Sequence, residues 1–469
     1  MPQHNQNIGS GFIGKNQGSF RFHPVYYVAL CAIMALMFGF NLGHVYACKP
    51  EIMDKFLLDS REVDSVMGTF LLGSIIGVFL GGRVTYDAGR RLPLIGSFLL
   101  GSLAIVGNLL APAFSSYLVS EFVVGGAFGI FFVSSLIYVT EIIFPDSRGL
   151  WTSMIGVSVV LGATIGILLG DIIFNNAHVF AAVILVLSLF LSIVSFFRLP
   201  ESPRWLALSG FADAALAELI RLRNNTAAAA RELADINECG RGENRGIALF
   251  LHSGSYRHKI WLLASVTILC HLSSFAIFPY MSLQLVSGFQ KIIWGLDEIQ
   301  AYDYHYGYLK AAITVILLSA VTVVLTIDRI GRKKLLLSSI FATEVILILL
   351  YLITLFTGSR GFMFMGTLVL LYIFTATIGI MVFFCTMVAE ILPAQGRELG
   401  VALTFFINLV GMLAGFTLFD NLTSALGLRA FFALDILFGA LLFALSYHSL
   451  PELRGKRLED LELSSLRGH

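Results

Sequence analysis

Long uninterrupted apolar runs dominate the chain. Twelve of these runs approach or exceed the roughly 20 residues that a helix needs to cross a bilayer core about 30 Å thick. They lie at residues 25–47, 64–82, 92–113, 117–140, 151–173, 177–197, 259–287, 307–327, 334–356, 362–389, 399–420 and 428–449. Strands of a membrane β-barrel would be about ten residues long and would alternate polar with apolar positions. The pattern therefore predicts an all-α membrane protein with twelve transmembrane helices.

Polar segments divide the chain into five parts. Residues 1–24 are polar and lack the apolar core of a signal peptide, so we expect a disordered cytoplasmic tail. Residues 25–197 and residues 259–449 each contain six apolar runs and would form two six-helix halves. Between them, residues 198–258 are charged and rich in alanine, which predicts short helices on the cytoplasmic face. Residues 450–469 would form a cytoplasmic C-terminal tail.

Composition supports a membrane protein and narrows the classes of function. Of the 469 residues, 57% are hydrophobic and only 13% are charged, whereas soluble domains have about 25% charged residues. The 31 basic residues nearly balance the 30 acidic ones, so no nucleic-acid partner is predicted. The five cysteines lack the spacing of a disulfide framework or a zinc site. We expect no metal site, no cofactor and no catalysis. The sequence leaves the oligomeric state open, and a monomer is one of the alternatives.

The basic residues of two short loops favour a cytoplasmic N-terminus. They are Arg83, Arg90 and Arg91 after the second run, and Arg329, Arg332, Lys333 and Lys334 after the eighth. Because the number of spans is even, the C-terminus should lie on the same side. We expect a multi-pass protein of the plasma membrane.

Three charged motifs occur once in each half, and each recurs about 250 residues further on. The pairs are Gly82–Arg91 with Asp328–Lys333, Glu141–Arg148 with Glu390–Arg397, and Leu199–Arg204 with Leu450–Gly455. A nearly constant offset indicates a duplicated six-helix unit in parallel orientation. Secondary transporters are built in this way, and they bind substrate between the repeats near the middle of the membrane.

The charged residues of these motifs are candidates for a cytoplasmic gate. Acids and arginines at neighbouring helix ends can clamp the halves together, and a desolvated network is worth more than an exposed pair at about 0–1 kcal/mol. The candidates are Asp87, Arg90, Arg91, Glu141, Arg148, Glu201, Arg204, Asp328, Arg332, Glu390, Arg397 and Glu452. The alternative is that they only anchor the loops on the cytoplasmic side.

The motif set resembles the sugar porter family of the major facilitator superfamily, which includes facilitative glucose transporters and sugar–proton symporters. Pro200–Leu206 matches the family's Pro-Glu-Ser-Pro-Arg-Trp-Leu letter for letter, and Gly82–Arg91 follows its first loop motif with one spacing difference. Glu141–Gly149 and Glu390–Arg397 match two further family motifs. The resemblance implies alternating-access transport of a sugar or a similar small polyol.

The residues that the resemblance assigns to sugar binding depart from the family. Cys270 and His271 stand where the family has a glutamine pair, Gly156 replaces a glutamine, and Cys385 lies where the family has Gly-Pro-x-Pro-Trp. Asn408 alone matches. Our substrate-binding candidates are Asn41, Cys270, His271, Ser274, Tyr280, Cys385 and Asn408, with Pro279 expected to break the seventh helix near Tyr280. His271 would contact the ligand or carry a proton, or else bind a neighbouring helix.

The resemblance also bears on energy coupling. The family's proton symporters carry aspartate where Asn41 stands and its facilitators carry asparagine, so we expect facilitative transport. Glu121 replaces a family arginine, which reverses the sign of the charge. One alternative is proton symport through Glu121, His44 or His271, and another is a non-transporting sensor on a transporter scaffold. The roles of Glu344 and Asp435, which lie in the middle of apolar runs, stay open.

Overall fold

The first half of the chain forms long helices in a computed structural model, which describes residues 24–239, 245–273, 275, 298–356 and 362–460. Its helices are α1 (Pro24–Ala47), α2 (Lys49–Phe56), α3 (Ser60–Ala88), α4 (Arg91–Leu109), α5 (Phe114–Ile142), α6 (Arg148–Asn175) and α7 (Ala177–Arg198). The short helix α2 was not predicted and lies between the first and second predicted spans. Asp59 caps the start of α3 by accepting a hydrogen bond from the backbone of Glu62 at 2.7 Å.

Short helices follow in the charged segment between the halves. They are α8 (Pro203–Leu208), α9 (Ala212–Arg223), α10 (Thr226–Cys239) and α11 (Ile247–His252). Leu219 of α9 packs against Ala229 and Ile236 of α10 in a small apolar cluster. This cluster is separate from the main core of the membrane helices.

The second half repeats the arrangement of the first. Its helices are α12 (Gly254–Leu272), α13 (Glu298–Ile330), α14 (Arg332–Phe356), α15 (Phe362–Val382), α16 (Val388–Ile391), α17 (Arg397–Leu426) and α18 (Leu428–Ser449). A π-helical turn at Phe383–Met387 joins α15 to α16.

Eleven helices within the described ranges are long and apolar enough to cross a membrane. Six lie in the first half and five in the second. The remaining predicted span, residues 259–287, begins in α12, and most of its second part lies outside the described residues.

Large apolar side chains cover the outer surface of these helices. Val186, Phe197 and Trp261 are 68%, 78% and 64% exposed. Such a surface is unfavourable in water but suits the hydrocarbon core of a bilayer.

The two halves meet along α3 with α17 and along α6 with α13. Aromatic rings interlock at the first of these contacts, with the ring centroids of Phe79 and Phe406 4.6 Å apart. Phe132 of α5 meets Phe405 of α17 at 5.1 Å. The cleft between the halves is therefore filled by aromatic side chains along part of its length.

Candidate substrate site and the charged contacts between the halves

Two glycines with left-handed backbone form matching turns in the two halves. Gly89 has φ 86° between α3 and α4, and Gly331 has φ 102° between α13 and α14. A Cβ atom at Gly89 would lie 2.4 Å from Oε2 of Glu201, and one at Gly331 would lie 2.7 Å from Oε2 of Glu452. Both the backbone conformation and the adjacent carboxylate therefore require glycine.

Each of these carboxylates accepts hydrogen bonds from backbone N–H groups at the start of a helix. Glu201 accepts from the backbone of Arg90 at 2.8 Å and of Arg91 at 3.3 Å, and Glu452 accepts from that of Arg332 at 2.9 Å. An acid is favourable there because the helix dipole is positive at its N-terminus. Burial raises the pKa of Glu201 above its ordinary value, and the backbone donors only partly offset this shift.

Four buried charged residues join the halves, and we call them the interhalf network: Arg90, Glu141, Arg397 and Glu398. Arg90 donates from Nε and Nη2 to the two carboxylate oxygens of Glu141, both at 2.9 Å. Arg397 donates from Nη1 to Oε1 of Glu141 at 3.0 Å, and Arg90 also donates to Glu398. None of the four is more than 5% exposed. We call the end of the molecule that holds them the network face.

The charges of the interhalf network balance, with two guanidinium groups against two carboxylates. Burial lowers the pKa of Arg90, but the carboxylates of Glu141 and Glu398 outweigh it and hold that pKa above its ordinary value. Arg90 therefore stays charged. Removing one partner of such a buried pair costs about 3–5 kcal/mol, because the other charge is left buried alone.

Asp328 forms a second bridge between the halves. Its Oδ2 accepts a hydrogen bond from the backbone of Leu150 in α6 at 2.8 Å, and its Oδ1 pairs with Arg332 at 2.8 Å. Arg332 pairs in turn with Glu390 at 3.3 Å. The end of α13 thus holds the start of α6 from the opposite half.

The two halves do not use their repeated arginines in the same way. Arg397 reaches the carboxylate of Glu141 in the other half, whereas its counterpart Arg148 donates to the backbone carbonyl of Lys456 at 3.3 Å. Lys456 belongs to the segment that follows α18. The contact across the network face is therefore asymmetric.

The short helices between the halves bind the segment after α18. Arg204 pairs with Glu459 at 2.6 Å, and Arg223 pairs with Glu232 at 2.7 Å. Burial alone would raise the pKa of Glu232, but the Arg223 guanidinium lowers it below its ordinary value. The Arg204–Glu459 pair connects these short helices to the end of the second half, whereas the Arg223–Glu232 pair joins α9 to α10.

Two of the predicted gating residues, Asp87 and Arg91, have side chains that contact residues of their own half. Asp87 pairs with Arg83 at 2.7 Å, and their side chains are 47% and 71% exposed. Arg91 donates to the backbone carbonyl of Phe196 and lies 5.1 Å from the centre of its ring.

The structure brings two of the predicted substrate-binding residues into direct contact. His271 Nε2 lies 3.2 Å from Oδ1 of Asn408, which joins α12 to α17. The imidazole fills the space above Gly411, where a Cβ atom would lie 2.4 Å from the ring. Nδ1 of His271 is buried and has no hydrogen-bond partner among the described residues. It is free to bind a further polar group.

Two more of the positions where the chain departs from the sugar porter pattern face each other. Cys385 is buried in the π-helical turn, and a Cβ atom at Gly156 of α6 would lie 2.8 Å from its Sγ. Cys270 is buried next to His271. Ser274, Pro279 and Tyr280 lie outside the described residues.

Asn41 lies in a separate polar cluster of the first half. Its Nδ2 donates to Oε1 of Glu121 at 3.1 Å and lies 3.3 Å from Oε2, while Asn108 also donates to Glu121. Asn108 lies 3.4 Å from Asn41 Oδ1. The three residues are 1–3% exposed. Asn41 therefore binds a carboxyl group of its own half.

A cavity of about 580 Å³, which we call the α2 cavity, lies at the end of the molecule opposite the network face. Its lining residues are His44, Glu51, Ile52, Asp54, Lys55, Phe56, Asn108, Leu109 and Tyr117. Because Asp54 and Lys55 are exposed, the cavity reaches the surface. Asn108 connects it to the cluster around Glu121.

Comparison with known families decides the class of protein. The family described as "Sugar (and other) transporter" matches residues 27–464. The chain belongs to this sugar transporter family. It is an integral, multi-pass membrane transporter and not an enzyme, and the predicted twelve-helix, two-half major facilitator fold is confirmed.

This sugar transporter is similar to curated relatives over nearly its whole length. It is 24% identical over 466 residues to the galactose-proton symporter of Escherichia coli, with 97% of each chain covered. It is 27% identical over 449 residues to the arabinose-proton symporter of the same organism, covering 93% of this chain and 92% of that protein. The major myo-inositol transporter of Bacillus subtilis is 26% identical over 446 residues, with 91% of each chain covered.

Solved structures show the same fold. A proton:xylose symporter bound to 6-bromo-6-deoxy-D-glucose has a TM-score of 0.76 at 19% identity, covering 94% of this chain and 99% of that chain. An inward open xylose transporter from E. coli has a TM-score of 0.59 at 18% identity, covering 94% and 100%.

Sequence reasoning missed two residues that the geometry of this sugar transporter singles out. Glu398 enters the interhalf network, and Asn108 holds Glu121. Glu398 follows the predicted gating residue Arg397 directly, so its position was a usable signal. Asn108 is one polar residue near the end of an apolar run, and such a residue is expected to find a buried partner.

Proposed function

We propose that this protein carries a sugar or a similar small polyol across the plasma membrane by alternating access, with both termini in the cytoplasm. The observation that carries the proposal is the interhalf network, which closes one end of the cleft with buried charges from both halves. When the halves rock apart, Arg397 must leave Glu141 and both groups must be rehydrated. The network thus acts as the cytoplasmic gate, with Asp328 as a second latch.

The contact between His271 and Asn408 supports a substrate site between the halves. Asn408 is eleven residues beyond Arg397, which is about 17 Å along a helix and close to the middle of a bilayer core of about 30 Å. Nδ1 of His271, which has no hydrogen-bond partner among the described residues, and the amide of Asn408 can bind sugar hydroxyl groups. Cys270 and Cys385 would contribute apolar surface, and Ser274 and Tyr280 remain predicted contacts.

We further propose that transport is coupled to protons, in place of the facilitative transport predicted from Asn41. The galactose and arabinose relatives are described as proton symporters, as is the xylose transporter of similar fold. Asn41 cannot titrate, but its amide donates to a carboxyl group, that of Glu121. An asparagine at this position therefore does not remove every titratable group from the region.

Uptake into proteoliposomes tests this proposal. The purified protein would be supplied with labelled galactose, arabinose, xylose and myo-inositol, with and without an inward proton gradient. We expect at least one of these probes to accumulate above its outside concentration, and a proton ionophore to abolish that accumulation. Uptake that only equilibrates, with or without the gradient, would instead support facilitative transport. Binding without uptake would support a sensor.

A further inference from the structure

Glu121 is a buried carboxyl group held by amides. Its oxygens accept hydrogen bonds from Asn41 and Asn108, and the residue is 1% exposed. Among the residues that the structure describes, Glu121 forms no ion pair. A carboxylate enclosed without a cation is costly, and a bound proton removes that cost.

The surroundings of Glu121 contain few other titratable groups. The stretch of α3 that packs against this part of α5 offers Phe70 and Gly73. The titratable or charged side chains that face the region are Tyr117 one turn earlier in α5, His44 on α1, Cys48 between α1 and α2, and Glu51, Asp54 and Lys55 at the α2 cavity. His44 Nδ1 is engaged with Cys48 Sγ at 3.3 Å.

The α2 cavity extends from the surface to Asn108, whose amide is hydrogen-bonded to Glu121. Glu121 is seven residues beyond Phe114, which places it about 10 Å along α5 from the end opposite the network face. Two buried polar atoms beside the cavity, Oδ1 of Asn108 and the hydroxyl of Tyr117, have no hydrogen-bond partner among the described residues. Buried polar atoms are nearly always satisfied, and a cavity of about 580 Å³ is large enough for water molecules that would satisfy them.

We propose that Glu121 is the proton-binding site of this transporter, reached by water through the α2 cavity. A hydronium ion in the cavity gives its proton to a carboxylate oxygen of Glu121, which leaves water and a neutral carboxylic acid. Once the amide of Asn108 has turned over, its Oδ1 accepts a hydrogen bond from the new O–H, while the Asn41 amide keeps its hydrogen bond to the other oxygen. Release of the proton restores the carboxylate.

This assignment rests on the proposed proton symport, but it can be tested without any sugar. After a pH jump on the purified protein, difference infrared spectra should show the carbonyl band of a carboxylic acid that gains its proton. Because other carboxyl groups contribute to the same band, we expect Glu121→Gln to lower its amplitude by the share of one group. The matched control Glu344→Gln, which makes the same change in a membrane helix of the other half, should keep that share. A difference spectrum between the unmutated protein and Glu121→Gln that shows no carboxylic-acid band would overturn the assignment.

A second measurement connects the site to transport. With galactose, arabinose or xylose as the probe, sugar-driven proton uptake should disappear in Glu121→Gln vesicles, while exchange of labelled for unlabelled sugar continues. Proton uptake that persists in Glu121→Gln would overturn the assignment. If the unmutated protein moves sugar without protons, the proposed symport fails, and the infrared band still decides whether Glu121 binds a proton.

A conservative variant at Glu121 and a sodium gradient complete the experiment. If Glu121→Gln does not fold, Glu121→Asp keeps a carboxyl group but shortens its reach to the amides. The pH midpoint of the infrared band should then shift, and an unchanged midpoint would contradict the assignment.

A sodium ion at this site would need oxygen ligands, whereas the amide nitrogens of Asn41 and Asn108 face Glu121. Sugar accumulation that requires a sodium gradient rather than a proton gradient would overturn the assignment of Glu121 as the proton-binding site.

Discussion

Arg397 of the second half donates to Glu141 of the first half at 3.0 Å, and both side chains are fully buried. The same carboxylate accepts two hydrogen bonds from Arg90 of its own half. Glu141 is therefore shared between a bond within one half and a bond across the cleft. Opening of the network face breaks only the second of these, so Glu141 keeps a counter-charge in both states.

Replacing Arg397 by alanine should shift the protein toward the state that is open on the network face. The substitution removes the guanidinium that crosses the cleft to Glu141. Because Arg90 remains beside that carboxylate, the cost to the contact between the halves should stay below the roughly 3–5 kcal/mol of a buried charge left alone. Reaction of a hydrophilic thiol reagent with a cysteine placed in the cleft would report the shift.

The matched control for Arg397→Ala is Arg83→Ala. Arg83 pairs with Asp87 in an exposed position, where a pair is worth about 0–1 kcal/mol. Equal cleft accessibility in Arg397→Ala, Arg83→Ala and the unmutated protein would show that the network is not a gate.

Replacing Gly89 by alanine should lower the melting temperature of the protein. The residue would keep a positive φ and press its Cβ against the Glu201 carboxylate, at a cost of about 1–3 kcal/mol. Thermal unfolding in detergent measures the change. In the control Gly96→Ala, the new Cβ meets nothing within 4 Å, and a helical alanine should be neutral or slightly stabilising. Equal melting temperatures for the two variants would contradict the role of Glu201.

Alanine at His271 or at Asn408 should weaken sugar binding. Loss of one buried polar contact is worth about 1–3 kcal/mol, so each dissociation constant should rise roughly 5- to 150-fold. Equilibrium binding of the probe that is transported best provides the measurement. Ile268→Ala, on the exposed side of the same helix, should bind as the unmutated protein does. Unchanged binding in both polar variants would move the site elsewhere.

The pair of Arg223 with Glu232 should stabilise the short helices between the halves in a pH-dependent way. The pKa of Glu232 is lower in the folded protein than its ordinary value of 4.5, so the contribution is present above that value. It is lost as the pH falls through the lowered pKa. The difference in melting temperature between the unmutated protein and Glu232→Gln should therefore narrow on acidification. A difference that widens at low pH would contradict the assigned ion pair.

The sequence was sufficient to predict the membrane helices and the paired charged motifs, because apolar runs and repeated charges are local signals. The partner of each charge was not predictable in the same way. Arg148 and Arg397 occupy equivalent motif positions, yet toward the other half Arg148 donates to a backbone carbonyl and Arg397 to a carboxylate. This choice depends on how the halves are rotated against each other, which no short pattern records.

The polar cluster of the first half illustrates the same limit. The sequence showed that Asn41 and Glu121 depart from the sugar porter pattern, but only as two separate positions. Their contact becomes visible only when α1, α4 and α5 are packed together and Asn108 joins them. The proton-binding hypothesis rests on this contact, which the two separate departures from the family pattern did not predict.

Alternating access is the central claim, and the distance between the halves at the network face tests it most directly. Spin labels at Arg83→Cys and Lys334→Cys would occupy exposed positions on opposite halves, with the half-exposed Cys239 replaced and the four other, buried cysteines retained. We predict two distances between the labels, a short one in the closed state and a longer one in the open state. The fraction of molecules with the longer distance should increase when transported sugar is added, and it should be larger in Arg397→Ala than in the unmutated protein. A single distance that neither sugar nor Arg397→Ala changes would contradict alternating access through this gate.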